Sequence, residues 1–123
     1  MSKSRIRLMG IALTLLFTFL SSSALLAWDP SGTWSIEGRS DATIIIKQVG
    51  DHYVIDFQSA YSKQKAIGYL SGQQLNVTYQ VLSEPGNGFN TYNRLNSDDR
   101  ISEVSFDTKG STVWSGTLIR TSK

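Results

Sequence analysis

The chain has 123 residues and no cysteine, and 12 lysines and arginines stand against 10 acidic residues. This length suits one domain with a single hydrophobic core. Without cysteines the domain has no disulfide, so its stability depends on that core. Because Lys3, Arg5 and Arg7 lie in the first 27 residues and no acid does, the remainder carries a net charge of −1. Its basic residues are scattered singly, so we expect no nucleic-acid partner.

Residues 1–27 have the three-part composition of a secretory signal peptide. A basic start is followed by the uncharged run LMGIALTLLFTFL and then by the small-residue segment SSSALLA. The apolar run is shorter than the roughly 20 residues that a membrane-spanning helix needs. We therefore predict a signal peptide over 1–27, a periplasmic or secreted protein, and no membrane anchor after cleavage.

Residues 28–123 are predicted to form one all-β domain, because short β-branched and aromatic runs alternate with Gly, Ser, Asn and Asp. In chain order the predicted strands are 33–37, 42–48, 53–59, 65–70, 74–82, 89–95, 101–107 and 112–120. The connections are too short for crossover helices, so neighbouring strands must pair antiparallel. We predict an eight-stranded antiparallel up-and-down meander barrel, since closure removes both exposed edges. A small β-sandwich is the alternative.

Alternation of side chains along each strand predicts which of them fill the barrel. The predicted inward set is Trp34, Ile36, Ile44, Ile46, Ile55, Phe57, Leu75, Val77, Tyr79, Val81, Val104, Phe106, Trp114 and Leu118. The fourth and sixth strands are ambiguous, because both of their faces carry apolar residues. With so many large groups inside, we expect a mostly filled barrel with a shallow opening. The space is expected beside small residues, namely Ala66, Gly68, Ser102 and Gly116.

The segment Gly32-Thr33-Trp34 on the first strand and Arg120 at the end of the last strand resemble the calycins, the lipocalin-like and avidin-like barrels. The resemblance implies that Trp34 lies across a closed end of the barrel and that Arg120 packs over its indole. Avidin-like chains place an Asn two residues after the Trp to hold biotin. Ile36 stands there in this chain, so we predict no biotin binding.

Residues typical of catalysis and metal binding are sparse. His52 is the single histidine, and neither a cysteine nor a second histidine accompanies it as a metal ligand. The pair Asp98-Asp99 and the sequence around it are ordinary turn chemistry. No glycine-rich phosphate loop is present, and nothing marks a serine as a nucleophile. We therefore expect a protein that is not an enzyme and has no cofactor.

Two functions remain open at this point. The first is a lipocalin-like binding protein for a small, partly apolar ligand, with Tyr69, Tyr79, Phe89 and Tyr92 as the expected ligand-binding residues. The alternative is a protein-interaction module, either an inhibitor or an envelope-assembly component, acting through the connection at residues 83–93. That connection, SEPGNGFNTYN, combines aromatic residues with glycine and asparagine, as recognition loops in other binding proteins do.

Overall fold

A computed structural model describes residues 28–82 and 86–123 of the chain. The predicted signal peptide and residues 83–85 of the predicted recognition loop lie outside the described residues. Eight strands follow one another in sequence: β1 Gly32–Ile36, β2 Arg39–Val49, β3 His52–Gln58, β4 Lys63–Ser71, β5 Gln74–Val81, β6 Asn87–Arg94, β7 Arg100–Asp107 and β8 Thr112–Ser122. Within these two ranges no helix is long and apolar enough to cross a membrane.

Each strand pairs antiparallel with the next one, and β8 returns to pair with β1. The sheet is therefore a closed up-and-down barrel, which confirms the predicted fold and rules out the alternative of two packed sheets. Closure is visible in the register, where Trp34 lies opposite Arg120 and Ile36 lies opposite Leu118. These two pairs join strands that are about 85 residues apart in sequence, so they form only when the barrel closes.

Strand β2 illustrates how alternation builds the core. Ala42, Ile44 and Ile46 are buried, whereas the intervening residues are exposed. Full burial of an isoleucine side chain contributes about 1.5–3 kcal/mol, so the two isoleucines hold this strand firmly in one register. A slip of one residue would turn both of them to solvent.

Strand β7 has the opposite phase to the predicted one. Ile101 and Glu103 are buried, whereas Val104 and Phe106 lie on the outer face, so their assignment to the core is wrong. The register gives the reason, because Phe106 pairs with the exposed Phe89 of β6, while Glu103 pairs with the buried Tyr92. Neighbouring strands must place paired side chains on the same face, and this tertiary constraint outweighs the local apolar pattern of β7.

The ambiguous strands are also decided by their neighbours. On β4 the inner face carries Ala66 and Gly68, and on β6 it carries Gly88, Asn90 and Tyr92. Contrary to expectation, Gly68 of β4 leaves no opening. A Cβ atom on Gly68 would lie only 2.7 Å from the Val77 side chain, because that side chain already fills the space.

The barrel has two ends, which we name by the connections that lie at each. We call one the closed end, where residues 28–31 and the connections β2–β3, β4–β5 and β6–β7 lie. The other is the open end, where the connections β1–β2, β3–β4 and β7–β8 lie and where β5 ends and β6 begins. The antiparallel meander places these two sets at opposite ends, and most of the buried core lies towards the closed end.

Candidate functional site

At the closed end the Arg120 guanidinium lies over the Trp34 indole, with 4.4 Å between the Arg120 Cζ atom and the ring centroid. Trp34 is fully buried, and its Nε1 donates a hydrogen bond to the Pro30 carbonyl oxygen over 3.0 Å. The structure thus brings together the two side chains that the calycin resemblance pairs. Such a cation–π contact contributes about 0.5–2 kcal/mol.

Arg120 of β8 also forms hydrogen bonds with two other segments of the chain, residues 28–31 and the β6–β7 connection. Its Nη1 donates to the Ser31 carbonyl oxygen, and its Nη2 donates to the carbonyl oxygens of Asp29 and Asp98. Its Nε donates to the Asp99 carboxylate over 2.9 Å, although only 6% of the side chain is exposed. The guanidinium therefore connects the N-terminal segment and the β6–β7 connection to β8.

Gly32 allows the arginine to approach so closely. Its φ of +140° disfavours any other residue, and a Cβ atom there would lie 2.8 Å from Arg120 Nη1. Trp28 is 3% exposed and belongs to the core cluster. Both tryptophans of the first segment are therefore structural.

The barrel contains a cavity of about 290 Å³ towards its open end. Its lining side chains come from β1 to β8 and from the β3–β4 connection: Ile36, Arg39, Phe57, Ser59, Tyr61, Ser62, Gln64, Tyr79, Asn90, Tyr92, Glu103, Ser105, Val113 and Trp114. Tyr61 is 88% exposed, so the cavity reaches solvent at its rim. The barrel is thus filled at one end and hollow at the other.

Three buried polar side chains line this cavity on adjacent strands. Asn90 and Tyr92 of β6 and Glu103 of β7 are 5%, 2% and 6% exposed. Burial raises the pKa of the Glu103 carboxyl to about 7, although hydrogen bonds with Tyr92 and Ser105 counteract part of that rise. Burial, reinforced by the neighbouring Glu103, holds the pKa of Tyr92 well above its usual value. Tyr92 is therefore a neutral hydrogen-bond donor.

Aromatic side chains supply the apolar part of the lining, and glycine makes room for one of them. A Cβ atom on Gly116 would lie 2.5 Å from the Trp114 ring, so the indole packs directly against the β8 backbone. Gly116 lies opposite Glu103 in the register. The glycine expected to open a pocket is thus covered by Trp114, which itself borders the cavity together with Phe57 and Tyr79.

The four residues predicted to bind a ligand fall into two pairs. Tyr79 and Tyr92 line the cavity. Tyr69 and Phe89 instead lie on the outer face of the barrel, 59% and 45% exposed. Tyr69 packs near His52, with 6.1 Å between ring centroids, so the structure does not bring these two residues to the cavity.

The sequence interpretation missed the polar lining residues Asn90, Glu103 and Ser105. A signal was present in the sequence, because alternation places the apolar Ile101 on the same face of β7 as Glu103 and Ser105. Two apolar residues on the other face, Val104 and Phe106, obscured that signal. A carboxyl on an inner face contradicts the usual pattern, and only the pairing with β6 decides it.

A scan against protein-family models found no match, and neither did searches of curated proteins and of solved structures. Within residues 28–82 and 86–123, no group of three or more His, Cys, Asp or Glu residues has the geometry of a metal site. The candidate site is therefore defined by its own chemistry: an aromatic-walled cavity that contains a buried carboxyl and a buried amide.

Proposed function

We propose that this protein is a non-catalytic, calycin-like binding protein that takes a small, partly apolar ligand into the cavity at the open end. The observation that carries the proposal is the cavity itself, which combines aromatic walls with a few buried polar groups. This combination is typical of ligand sites. A volume of about 290 Å³ suits a compact molecule, because such sites usually span roughly 300–1,000 Å³.

The calycin-like assignment draws support from the closed end. The first-strand tryptophan, the last-strand arginine over it and the closed eight-stranded meander occur together in this chain. The proposed location, the periplasm or the exterior, rests on the composition of residues 1–27.

Native mass spectrometry of the protein purified from the compartment to which it is exported tests the binding function. We expect a reproducible small adduct that disappears on denaturation. Ser105→Phe fills the cavity and should abolish the adduct, whereas Ser102→Phe makes the same change on the outer face of β7 and should retain it. A bare mass for the unmodified protein would overturn the proposal.

A protein-interaction module is the second candidate, and the position of Phe89 favours it. This side chain is 45% exposed on the outer face, and Ile67 on the same face is 49% exposed. Exposed aromatic groups are common in protein interfaces. Phe89→Ser should then weaken partner binding and leave the cavity ligand bound, whereas Ser105→Phe should have the opposite effect.

A further inference from the structure

The hydrogen bonds around Glu103 leave two oxygen acceptors at the cavity. Tyr92 lies opposite Glu103 in the register of β6 and β7, and its hydroxyl counteracts part of the rise in the Glu103 pKa. The Tyr92 oxygen accepts a hydrogen bond from Asn90 Nδ2 over 3.5 Å. The Asn90 Oδ1 atom is buried without a partner among the described residues.

The charge around Glu103 is equally incomplete. Across residues 28–82 and 86–123, no lysine, arginine or histidine lies within ion-pair distance of this carboxyl. The neighbouring groups are Tyr92 from β6, Ser105 from β7 and Gly116 from β8, and none of them carries a positive charge. A buried carboxylate without a cation is unfavourable.

Arg39, the one cation in the cavity lining, is engaged elsewhere. Its Nε and Nη2 donate to the two carboxylate oxygens of Asp41 over 3.2 and 3.1 Å. Besides Arg39, Glu103 and Tyr92, the ionisable residues in the lining are Tyr61 and Tyr79, and a phenol side chain carries no positive charge. Among the described residues, the cavity lining therefore provides acceptors but places no cation beside Glu103.

We infer that the cavity binds a small organic ammonium ion, whose N–H groups donate to the Glu103 carboxylate and to Asn90 Oδ1. The apolar body of this ligand packs against Phe57, Tyr79 and Trp114. The inference rests on the proposed binding function and adds the ligand class. An ammonium group satisfies both acceptors and supplies the missing charge, and aromatic walls favour a cation.

Three probes of similar shape test the ligand class: 2-phenylethylammonium, the neutral 2-phenylethanol and the anionic phenylacetate. Binding to the whole exported protein is measured by calorimetry and by tryptophan fluorescence, because Trp114 borders the cavity. At pH 8 we expect the ammonium to bind at least tenfold more tightly than the alcohol, and phenylacetate to bind most weakly. Equal affinity of the ammonium and the alcohol would overturn the inference.

The pH dependence of binding provides a second readout. The ammonium probe stays protonated between pH 5.5 and 8, whereas Glu103 becomes largely protonated at the lower pH because its pKa is about 7. The affinity should therefore fall roughly thirtyfold from pH 8 to pH 5.5, and the affinity for 2-phenylethanol should not. An ammonium affinity that is constant over this range contradicts the assignment.

The matched variants are Glu103→Gln and Glu37→Gln. The first should weaken ammonium binding roughly thirtyfold or more at pH 8 and leave 2-phenylethanol binding almost unchanged. The second makes the same change at an exposed residue that pairs with Arg100, and it should alter neither.

If only 2-phenylethanol binds, the ammonium inference fails and the binding function stands. If no probe binds, the inference fails, and the native mass spectrum decides the binding function independently.

Discussion

At the closed end of the barrel, the buried Arg120 has an acceptor for each of its three guanidinium nitrogens. At the open end, the buried Glu103 has no cation beside it in the described part of the chain, and the adjacent Asn90 Oδ1 has no hydrogen-bond partner. One buried charge is thus satisfied by the fold and the other is not. The two ends therefore differ in how a charged side chain is compensated, although among the described residues each has one buried polar atom without a partner, Trp28 Nε1 at the closed end and Asn90 Oδ1 at the open end.

Two tryptophan substitutions test this contrast with the largest expected effect. Trp34→Ala should lower the free energy of unfolding by about 3–5 kcal/mol, because it leaves a cavity in the packed closed end. Trp114→Ala should lower it by only about 1–2 kcal/mol, because that indole already borders open space. Urea denaturation of both variants measures the difference. Equal losses would show that the two ends are packed alike.

The pH dependence of stability tests the open end. The pKa of Glu103 rises from the ordinary value of 4.5 to about 7 in the folded protein. Between pH 4.5 and pH 7 the folded protein therefore binds more protons than the unfolded chain does. Stability should then decrease as the pH rises through this window, by roughly 3 kcal/mol in total. Glu103→Gln should abolish that decrease and be the more stable protein at pH 8.

Denaturation at a series of pH values measures this effect, with Glu37→Gln as the control that retains the wild-type slope. A wild-type stability that rises from pH 5 to pH 8 would contradict the buried position of Glu103. Trp34→Ala should lower the stability by removing packing at the closed end, whereas Glu103→Gln should raise the stability at pH 8 by removing an unpaired carboxyl at the open end.

A third and smaller effect concerns Arg120. Arg120→Lys keeps the positive charge but cannot reach all four oxygen acceptors at once, since lysine lacks the planar fork of arginine. We expect a loss of about 1–2 kcal/mol and a change in tryptophan fluorescence, with ligand binding at the open end unaffected. A parallel loss of ligand binding would show that the two ends are coupled.

The predictability of the site differs between its aromatic and polar parts. Phe57, Tyr79 and Trp114 were expected inside from alternation alone, and all three border the cavity. Tyr69 and Phe89 were grouped with them because aromatic residues suit both a pocket and an outer strand face. Glu103 was missed, because Val104 and Phe106 made the other face of β7 the more apolar one, and only the pairing of β7 with β6 shows which face turns inward.

The sequence by itself determined the all-β class and the antiparallel pairing of neighbouring strands, because the connections between the eight runs are too short for crossovers. The pairing of β8 with β1, which closes the barrel and excludes the sandwich, came from the structure. The sequence also determined the phase of strands with one clearly apolar face, such as the Ile44 and Ile46 face of β2. Only the tertiary structure decided the phases of β4, β6 and β7 and the position of the cavity. Each face of those strands carries both apolar and polar residues. The side chains of the neighbouring strands therefore determine which face turns inward.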